Sequence, residues 1–260
     1  MKSYEMIRGM RQVYSDYTDE DQAVWKILFD RQMKQLSRMA DESFLKAIDT
    51  IGFTDRIPDF DEVNVRLKET TGWKIRVVPG IIEEADFFKL LEKKEFPSST
   101  WLRAMNSLDY LSEPDMFHDA FGHMPLLTNE TFCSFFRQIG RLGVQYADVP
   151  EVLTCLGRLY WFTVEFGLIQ RDDEDLKIYG AGILSSSGES TFSLSERPKR
   201  KAYDVFEVVR TDFDNTVIQE LYFVINSFEE ISNSLVELEP MLEEIATKIR
   251  GAIADPKLSL

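Results

Sequence analysis

The amino-acid sequence predicts a mainly α-helical fold with a few short β-strands and hairpins. Apolar residues recur at helical spacing along most of the chain, whereas stretches of alternating apolar and polar residues are few and short. No Gly/Ser-rich linker, low-complexity run or internal repeat divides the 260 residues, and the hydrophobic fraction of 44% can supply a sizeable core. We therefore expect one domain over residues 1–260.

Three helices are predicted in the first part of the chain. Thr18, followed by acidic residues, is typical of a helix N-terminus, and Asp41 predicts the start of a second helix that ends near Gly52. Pro58 precedes a third, short helix that stops at Gly72. The first helix presents one apolar face, made of Trp25, Leu28, Phe29, Met33 and Leu36.

The middle of the chain alternates between strand and helix signals. Residues 73–78 are β-rich and predict a strand, which the turn at Pro79 and Gly80 connects to a helix. The Phe96-Pro97 pair interrupts that helix. Two more helices are predicted, one over residues 131–144 and one, almost wholly apolar, over residues 152–169.

The C-terminal part is predicted to begin with a hairpin or short sheet formed by residues 177–186 and 190–195. The basic run at 197–201 follows it and is interpreted as a solvated loop. A β-rich stretch at 221–225 predicts a strand. The chain then ends in an amphipathic helix whose apolar positions are Ile231, Leu235, Leu238, Leu242 and Ile245.

Charge and cysteine content exclude several classes of protein. The net charge of −15 argues against nucleic acid and anionic membranes as partners, because both require clustered Lys and Arg. Cys133 and Cys155 form neither a CxxC pair nor a disulfide framework. The first residues lack the apolar core of a signal peptide, and no apolar run is long enough to cross a bilayer. We expect a cytoplasmic protein.

The only two histidines of the chain lie in the segment His118-Asp119-Ala120-Phe121-Gly122-His123. On a regular helix, residues five apart point roughly 140° away from each other, so they could not bind one ion. Gly122 and Pro125 disfavour regular helix. We therefore expect a bend or helix end that turns both imidazoles inward, with two structural histidines as the alternative.

A third metal ligand could come from Glu165. It lies within the apolar stretch 152–169, where Arg158 is the only other charged residue. A buried glutamate must be paired or bind a metal, and Arg158 lies on the same helical face two turns away. From the residues alone, an ion pair and a metal ligand both remain open. Two histidines and one carboxylate form the ligand set of non-haem Fe(II) oxygenases, and the same set also allows a zinc hydrolase.

Four stretches in order resemble one family. The stretch at 118–127, HDAFGHMPLL, is similar to the iron-site signature of the pterin-dependent aromatic amino acid hydroxylases. DYLSEPD at 109–115, LYWFTVEFG at 159–167 and YGAGILSSSGE at 179–189 agree in order and spacing. The similarity runs from about Trp73 to Phe228, and the residues of these stretches are most similar to those of bacterial members that act on phenylalanine.

This resemblance implies a single catalytic domain of the hydroxylase type, without a separate regulatory domain. His118, His123 and Glu165 would hold Fe(II), and tetrahydrobiopterin or another tetrahydropterin would be the second cofactor. The implied reaction uses O₂ to hydroxylate the ring of an aromatic L-amino acid, with L-phenylalanine giving L-tyrosine as the favoured case. L-Tryptophan and L-tyrosine are the alternative substrates, and the enzyme is expected to be a monomer.

The resemblance also implies binding residues. The pterin would contact Gly80, Ile81, Phe87, Asp119, Gly157 and Tyr160. Arg103 would bind the α-carboxylate of the substrate, since its guanidinium fork suits a carboxylate. The remaining substrate residues would be Leu111, Pro114, Trp161, Phe166, Ser185, Glu189 and Asn215. Asn215 departs from the pattern, because members acting on phenylalanine or tryptophan usually carry an aliphatic residue there and members acting on tyrosine an acid.

Plainer interpretations of these residues exist. Phe87 could be an ordinary core residue, and Arg103 could form a surface ion pair. A zinc hydrolase would leave the pterin and Ser-Gly-Glu motifs unexplained. A non-catalytic sensor of amino acid or pterin is disfavoured, because all three metal ligands and Arg103 are present.

Overall fold

Three helices open the chain in the computed structural model, which describes residues 9–109, 111, 113–172 and 174–254. They are α1 (Asp19–Met39), α2 (Glu42–Ile51) and α3 (Phe60–Thr70). Thr18 caps α1 by a reciprocal exchange of hydrogen bonds with Asp21, and the Asp41 side chain caps α2 by accepting from the Ser43 amide. The predicted boundaries of these helices are confirmed.

A small parallel sheet follows, formed by β1 (Lys74–Val77) and β2 (Glu95–Ser98) on either side of α4 (Glu84–Glu92). The β1 strand and the helix were predicted from the sequence. The Phe96-Pro97 pair was interpreted only as a break, but it forms the middle of β2, where Arg76 lies opposite Pro97. Proline is tolerated there because this sheet has only two strands, so each strand has an edge without a partner.

The histidine segment and the glutamate segment each form a turn of π-helix. The first is His118–His123, which is followed by a 3₁₀ turn at Pro125–Thr128 and by α5 (Glu130–Gln145). The second is Trp161–Glu165, which continues directly from α6 (Pro150–Tyr160). The helix predicted over residues 131–144 is confirmed. The helix predicted over residues 152–169 is confirmed only as far as Tyr160, since residues 161–165 form the π-helical turn and Leu168–Ile169 forms a strand. Neither metal-ligand segment is regular α-helix.

A four-stranded sheet and four helices complete the chain. The strands lie in the order β4-β3-β6-β5, with β3 antiparallel to β4 and the other pairs parallel. The elements in sequence are β3 (Leu168–Ile169), β4 (Lys177–Ile178), α7 (Ala181–Leu184), α8 (Ser187–Ser193), β5 (Lys199–Ala202), α9 (Val205–Val208), β6 (Leu221–Ile225) and α10 (Phe228–Ala254).

The predicted hairpin or short sheet of residues 177–186 and 190–195 is wrong beyond its first two residues. Only Lys177–Ile178 is strand, and it pairs with Leu168–Ile169. The chain then forms α7 and α8, because the Ser186 side chain accepts a hydrogen bond from the Glu189 amide and so caps a new helix. The basic run is also not a loop throughout, since Lys199–Ala202 forms the mostly exposed edge strand β5.

One hydrophobic core connects the helices and anchors the histidine segment. The rings of Phe117 and Phe121 stack with their centroids 4.9 Å apart, and Trp25 and Phe44 pack edge-on against them. The apolar face predicted for α10 is confirmed, since Leu235, Leu238 and Leu242 are buried. Within the described ranges, no helix combines the length and hydropathy that a membrane span requires.

Candidate active site

His118, His123 and Glu165 converge on one point. The Nε2 atoms of the two histidines lie 3.2 Å apart, and the two carboxylate oxygens of Glu165 lie 3.2 Å from His123 Nε2 and 3.6 Å from His118 Nε2. Each residue offers one ligand atom, and these atoms all lie within 4.8 Å of one another. This donor set, two imidazoles and one carboxylate, fits a divalent first-row metal ion.

The π-helical turn explains how two histidines five residues apart can meet. A π-helix closes hydrogen bonds between residues i and i+5, so positions that diverge on an α-helix lie one above the other. The predicted inward direction of the imidazoles is therefore correct, but the expected bend is a widened turn. Gly122 lies within it because a Cβ there would come within 2.8 Å of the Ala181 carbonyl oxygen.

Ser185 orients His118. Its hydroxyl lies 2.8 Å from the Ala181 carbonyl oxygen, which can only accept, and 2.9 Å from His118 Nδ1. The hydroxyl therefore donates to Ala181 and accepts from the Nδ1–H of His118. That tautomer leaves the lone pair of His118 Nε2 directed at His123 and Glu165.

The electrostatics of the cluster suit a metal cation. Burial lowers the pKa of His118 to about 4, so this imidazole is neutral at pH 7. Burial alone would raise the pKa of Glu165, but its electrostatic interactions with the adjacent His123 and His118 imidazoles and its hydrogen bonds with His123 and Tyr160 outweigh burial and lower that pKa to about 2. Neutral imidazole and ionised carboxylate are the forms that bind metal.

Arg158 does not form the alternative ion pair with Glu165. Arg158 forms an ion pair with Asp212 and donates to the Val209 carbonyl oxygen at 3.1 Å. Its contacts therefore tie α6 to the segment before β6. Glu165 is left to face the two histidines.

Two cavities meet at His118 and Glu165. The first has a volume of about 310 Å³ and the second about 360 Å³. Both are lined by Ile81, Pro114, His118 and Glu165. A molecule bound in one cavity would therefore lie next to a molecule bound in the other, and both would lie next to the candidate metal position.

The first cavity brings together five of the six residues proposed to contact a pterin. Gly80, Ile81, Phe87, Asp119 and Tyr160 line it. Phe87 is half-buried and packs edge-on against Tyr160, with centroids 5.2 Å apart, so it is not only a core residue. Burial raises the pKa of Asp119 to about 7, and its carboxylate accepts a hydrogen bond from the Ser99 amide at 2.7 Å.

The second cavity brings together seven of the eight residues proposed to contact the amino acid. They are Arg103, Leu111, Pro114, Trp161, Phe166, Ser185 and Asn215. Tyr110 and Ser112 of the DYLSEPD stretch lie outside the described residues. Trp161 and Phe166 pack against each other with centroids 4.5 Å apart and form an aromatic wall.

Arg103 is buried and pairs with Asp115, so it is not a surface ion pair. Its Nε and Nη2 atoms donate to the two carboxylate oxygens of Asp115 at 2.8 and 2.9 Å, and Nη1 donates to the Leu108 carbonyl oxygen at 3.1 Å. Three of the five guanidinium N–H groups thus donate to described residues, which leaves one each on Nη1 and Nη2 without a partner among the described residues. Asp115 also accepts from the His118 amide at 3.1 Å, which links Arg103 to the π-helical turn.

Two predicted site residues lie elsewhere. Gly157 and Glu189 are not among the described residues that line either cavity. The Glu189 carboxylate is buried and accepts hydrogen bonds from the Tyr222 hydroxyl and, at 3.1 Å, from the Gln219 amide. Its contacts therefore stabilise the fold beside the second cavity.

Sequence reasoning missed the supports of the aromatic wall. Phe213 stacks on Trp161 with centroids 4.3 Å apart, and Gln219 accepts a hydrogen bond from the Trp161 indole N–H at 3.1 Å. Neither residue lies in a motif or a periodic stretch. The only available signal was the proximity of both to Asn215 in the sequence.

Fold and site together define a class of protein: a mainly helical protein with a candidate two-histidine, one-carboxylate metal site, the ligand set found in non-haem iron oxygenases. The sequence profile of the biopterin-dependent aromatic amino acid hydroxylases matches residues 3–247. The chain therefore belongs to this family and is an enzyme of the monooxygenase class. The resemblance drawn from the four motifs is confirmed.

Individual relatives agree with this assignment. The chain is 42% identical over 241 residues to the phenylalanine-4-hydroxylase of Ralstonia nicotianae, covering 92% of this chain and 76% of that protein. It is 42% identical over 233 residues to the phenylalanine-4-hydroxylase of Chromobacterium violaceum, covering 88% and 78%. The crystal structure of the C. violaceum enzyme with bound Fe(III) superimposes with a TM-score of 0.87 at 40% identity, covering 92% of this chain and 88% of that one.

Proposed function

We propose that this enzyme hydroxylates the ring of L-phenylalanine to L-tyrosine, using Fe(II), a tetrahydropterin and O₂. The observation that carries the proposal is the meeting of two cavities at His118 and Glu165, because the reaction needs a pterin and an amino acid beside one metal ion. The names of the bacterial relatives support phenylalanine as the substrate.

His118, His123 and Glu165 are the proposed iron ligands. Iron bound there, together with the reduced pterin, would supply the activation of O₂ that the protein's side chains cannot perform. A facial set of three protein ligands leaves coordination positions for water and oxygen. The part of the protein is to keep the His118 imidazole neutral, the Glu165 carboxylate ionised and the reactants oriented.

The pterin is proposed to bind in the first cavity. Phe87 and Tyr160 provide aromatic surface for a flat heterocycle, and Gly80 and Ile81 also line the cavity. Asp119 lies beside His118 and offers a carboxylate to the pterin or to its waters. We do not include Gly157 as a direct contact, since it does not line this cavity.

The amino acid is proposed to bind in the second cavity. The N–H groups on Nη1 and Nη2 that have no partner among the described residues would donate to the α-carboxylate. Trp161, Phe166 and Pro114 would surround the aromatic ring. Asn215 adds a polar group to the cavity, and for this reason L-tryptophan and L-tyrosine stay as alternative substrates of the same chemistry.

A turnover assay tests the proposal. The purified enzyme is loaded with Fe(II), supplied with tetrahydrobiopterin and O₂, and offered Phe, Tyr and Trp separately. We expect a product heavier by about 16 mass units, one oxygen atom, that forms only when iron and pterin are both present. Pterin oxidation without any hydroxylated amino acid would overturn the substrate, and zinc binding without oxygen uptake would overturn the reaction in favour of a hydrolase.

A pair of variants tests the metal ligands in the same assay. Glu165→Gln should lose bound iron and turnover while the circular dichroism spectrum stays unchanged, because an amide is a far weaker ligand than a carboxylate. Glu151→Gln, an exposed position on the preceding helix, serves as the matched control. Full iron content in the Glu165 variant would refute the ligand role.

We further propose that the enzyme is a cytoplasmic monomer. Cys133 and Cys155 are buried free thiols, which supports a reducing compartment. The apolar face of α10 packs against its own chain, including α5, which supports a monomer over a helical assembly. Light scattering that gave the mass of a dimer or tetramer would overturn the second point.

A further inference from the structure

A single buried glutamine, Gln219, connects the aromatic wall of the second cavity to the loop that carries Asn215. Its Oε1 atom accepts from the Trp161 indole N–H at 3.1 Å. Its Nε2 atom donates to the carbonyl oxygens of Asp214 at 2.8 Å and of Val217 at 2.9 Å. Every polar atom of the side chain is therefore hydrogen-bonded.

Gln219 is itself held firmly by the fold. Its backbone amide donates to the buried Glu189 carboxylate at 3.1 Å, and the same carboxylate accepts from the Tyr222 hydroxyl. Glu189 belongs to α8 and Tyr222 to the sheet strand β6. The glutamine is thus fixed to two packed elements, and the loop and Trp161 take their positions from it.

The loop has its own internal order but needs an anchor. The Asp214 carboxylate accepts from the amide and the hydroxyl of Thr216, at 2.8 and 2.6 Å. Asn215 lies between these two residues and is exposed at the edge of the cavity. The two carbonyl contacts of Gln219 join this turn to the body of the protein, together with the stacking of Phe213 on Trp161 and the ion pair of Asp212 with Arg158 just before it.

Trp161 is constrained on several sides by the same segment. Phe213 stacks on its ring at an interplanar angle of 11°, and Phe166 packs on it at 40°. Stacking restricts the tilt of the indole, while the hydrogen bond to Gln219 fixes its rotation within the ring plane. A primary amide of this length provides the acceptor and both donors at once, which carboxylate, amine and apolar side chains cannot.

We propose that Gln219 is a positioning residue that determines how the enzyme recognises the ring of its amino acid substrate. By holding Trp161 and the Asn215 turn in one arrangement, it sets the shape of the cavity around the ring. The inference rests on the proposed function, because it assigns the second cavity to the amino acid. Gln219 touches no reacting atom and acts through Trp161 and the loop.

The first test is spectroscopic and needs no turnover. The chain has four tryptophans, so the ¹⁵N-labelled protein should give four indole N–H signals, of which Trp161→Phe identifies one. In Gln219→Met, a replacement of similar shape without hydrogen-bonding groups, the Trp161 signal should shift and exchange faster with solvent. The signals of the other three tryptophans should stay in place, and an unmoved Trp161 signal would overturn the contact in solution.

The second test is kinetic and uses the iron-loaded enzyme. In Gln219→Met, we expect the KM for the amino acid to rise about tenfold, the KM for the pterin to stay within about twofold, and less hydroxylated product per pterin oxidised. The ratio of rates with Phe, Tyr and Trp should also change. Equal effects on both KM values, with an unchanged ratio of rates for Phe, Tyr and Trp, would show that Gln219 has only a structural role and would overturn the proposal.

A double-mutant cycle tests whether the effect of Gln219 on the amino acid KM passes through Trp161. If Gln219 acts through Trp161, Gln219→Met should change the amino acid KM less in a Trp161→Phe background than in the wild type. Additive effects on the amino acid KM would show that Gln219 does not act through Trp161.

If Gln219→Met does not fold, Trp161→Phe removes the same hydrogen bond from its other end. This variant must then raise the KM for the amino acid and leave the KM for the pterin nearly unchanged. A wild-type enzyme that hydroxylates no aromatic amino acid would refute the proposed function while leaving the spectroscopic result intact.

Discussion

The Nε2 atoms of His118 and His123 lie 3.2 Å apart, although the two residues are five positions apart in the sequence. A turn of π-helix makes this possible, and the stacked rings of Phe117 and Phe121 hold the opposite side of the turn in the core. Because a π-helical turn is less stable than α-helix on its own, the geometry of the metal site depends on these tertiary contacts.

Removal of the Ser185 hydroxyl should weaken metal binding without removing a ligand. Ser185→Ala deletes the group that accepts the Nδ1–H of His118, so the imidazole is no longer held in the tautomer that binds metal. We expect the Kd for Fe(II) to rise about 10- to 100-fold. Anaerobic titration of chelator-treated protein measures this Kd.

The matched control for this variant is Ser187→Ala. Ser187 lines the same cavity, but its hydroxyl is directed at Gln35 and contacts no histidine. Its Kd for Fe(II) should equal that of the wild type. An unchanged Kd in Ser185→Ala would mean that another group sets the tautomer of His118.

The fork of Arg103 should be tested by lysine rather than by alanine. Asp115 is fully buried, so Arg103→Ala would leave its charge unpaired and cost about 3–5 kcal/mol of stability. Arg103→Lys keeps a positive charge beside Asp115 but cannot bind a carboxylate with two parallel N–H groups. We expect the KM for the amino acid to rise at least about tenfold and the KM for the pterin to stay unchanged.

Arg141→Lys is the control for the lysine exchange, because Arg141 forms an exposed ion pair with Glu239 and lines neither of the two cavities. It should change neither KM. If Arg103→Lys raised both KM values equally, Arg103 would be acting through the fold and not through the amino acid.

Local sequence signals predicted most of the fold. The caps at Thr18 and Asp41 and the left-handed Gly52 are determined by a few neighbouring residues, and each appears where the sequence placed it. The candidate metal ligands were also found, because two histidines in one segment and one glutamate in an apolar stretch are rare enough to be noticed. These features need little information about tertiary contacts.

Features that depend on distant residues were not predicted. The π-helical turn requires packing from α1 and α2, and β2 exists only because β1 provides a partner for Phe96 and Pro97. Residues 181–193 have the composition of a turn or strand, yet caps and close packing make 181–184 and 187–193 helical. Gln219 has no signal of its own, since its importance comes from contacts with α8, Trp161 and a loop.

Two glycines in the stretch YGAGILSSSGE should respond oppositely to alanine. A Cβ at Gly180 would lie 2.4 Å from the Gly167 amide nitrogen and 2.5 Å from the Glu165 carbonyl oxygen, and neither backbone atom can move freely. Gly180→Ala should therefore lower the free energy of unfolding by about 1–3 kcal/mol and weaken metal binding through Glu165.

Gly188 is the internal comparison for that substitution. It lies exposed in α8, and a Cβ there would meet no atom within 4 Å. Gly188→Ala should raise the free energy of unfolding by about 0.4–1 kcal/mol, because alanine loses less entropy on folding. Urea denaturation measures both variants, and two changes of the same sign would contradict the packing argument.

The ion pair between Asp41 and Arg171 should make stability depend on pH in the acid range. Burial alone would raise the pKa of Asp41, but Arg171 and Ser43 outweigh it and lower that pKa below its ordinary value. A carboxyl whose pKa is lower in the folded protein stabilises the fold at pH values above the unfolded pKa of about 3.9, and this contribution is lost as the pH falls through the folded pKa.

The variant Asp41→Asn removes the charge but keeps a side chain that caps α2 equally well. We expect the variant to be less stable than the wild type by about 1–3 kcal/mol at pH 7 and the difference to shrink as the pH falls below about 4. Urea denaturation of both proteins at a series of pH values measures it, and a difference independent of pH would mean that the contribution of Asp41 is not electrostatic.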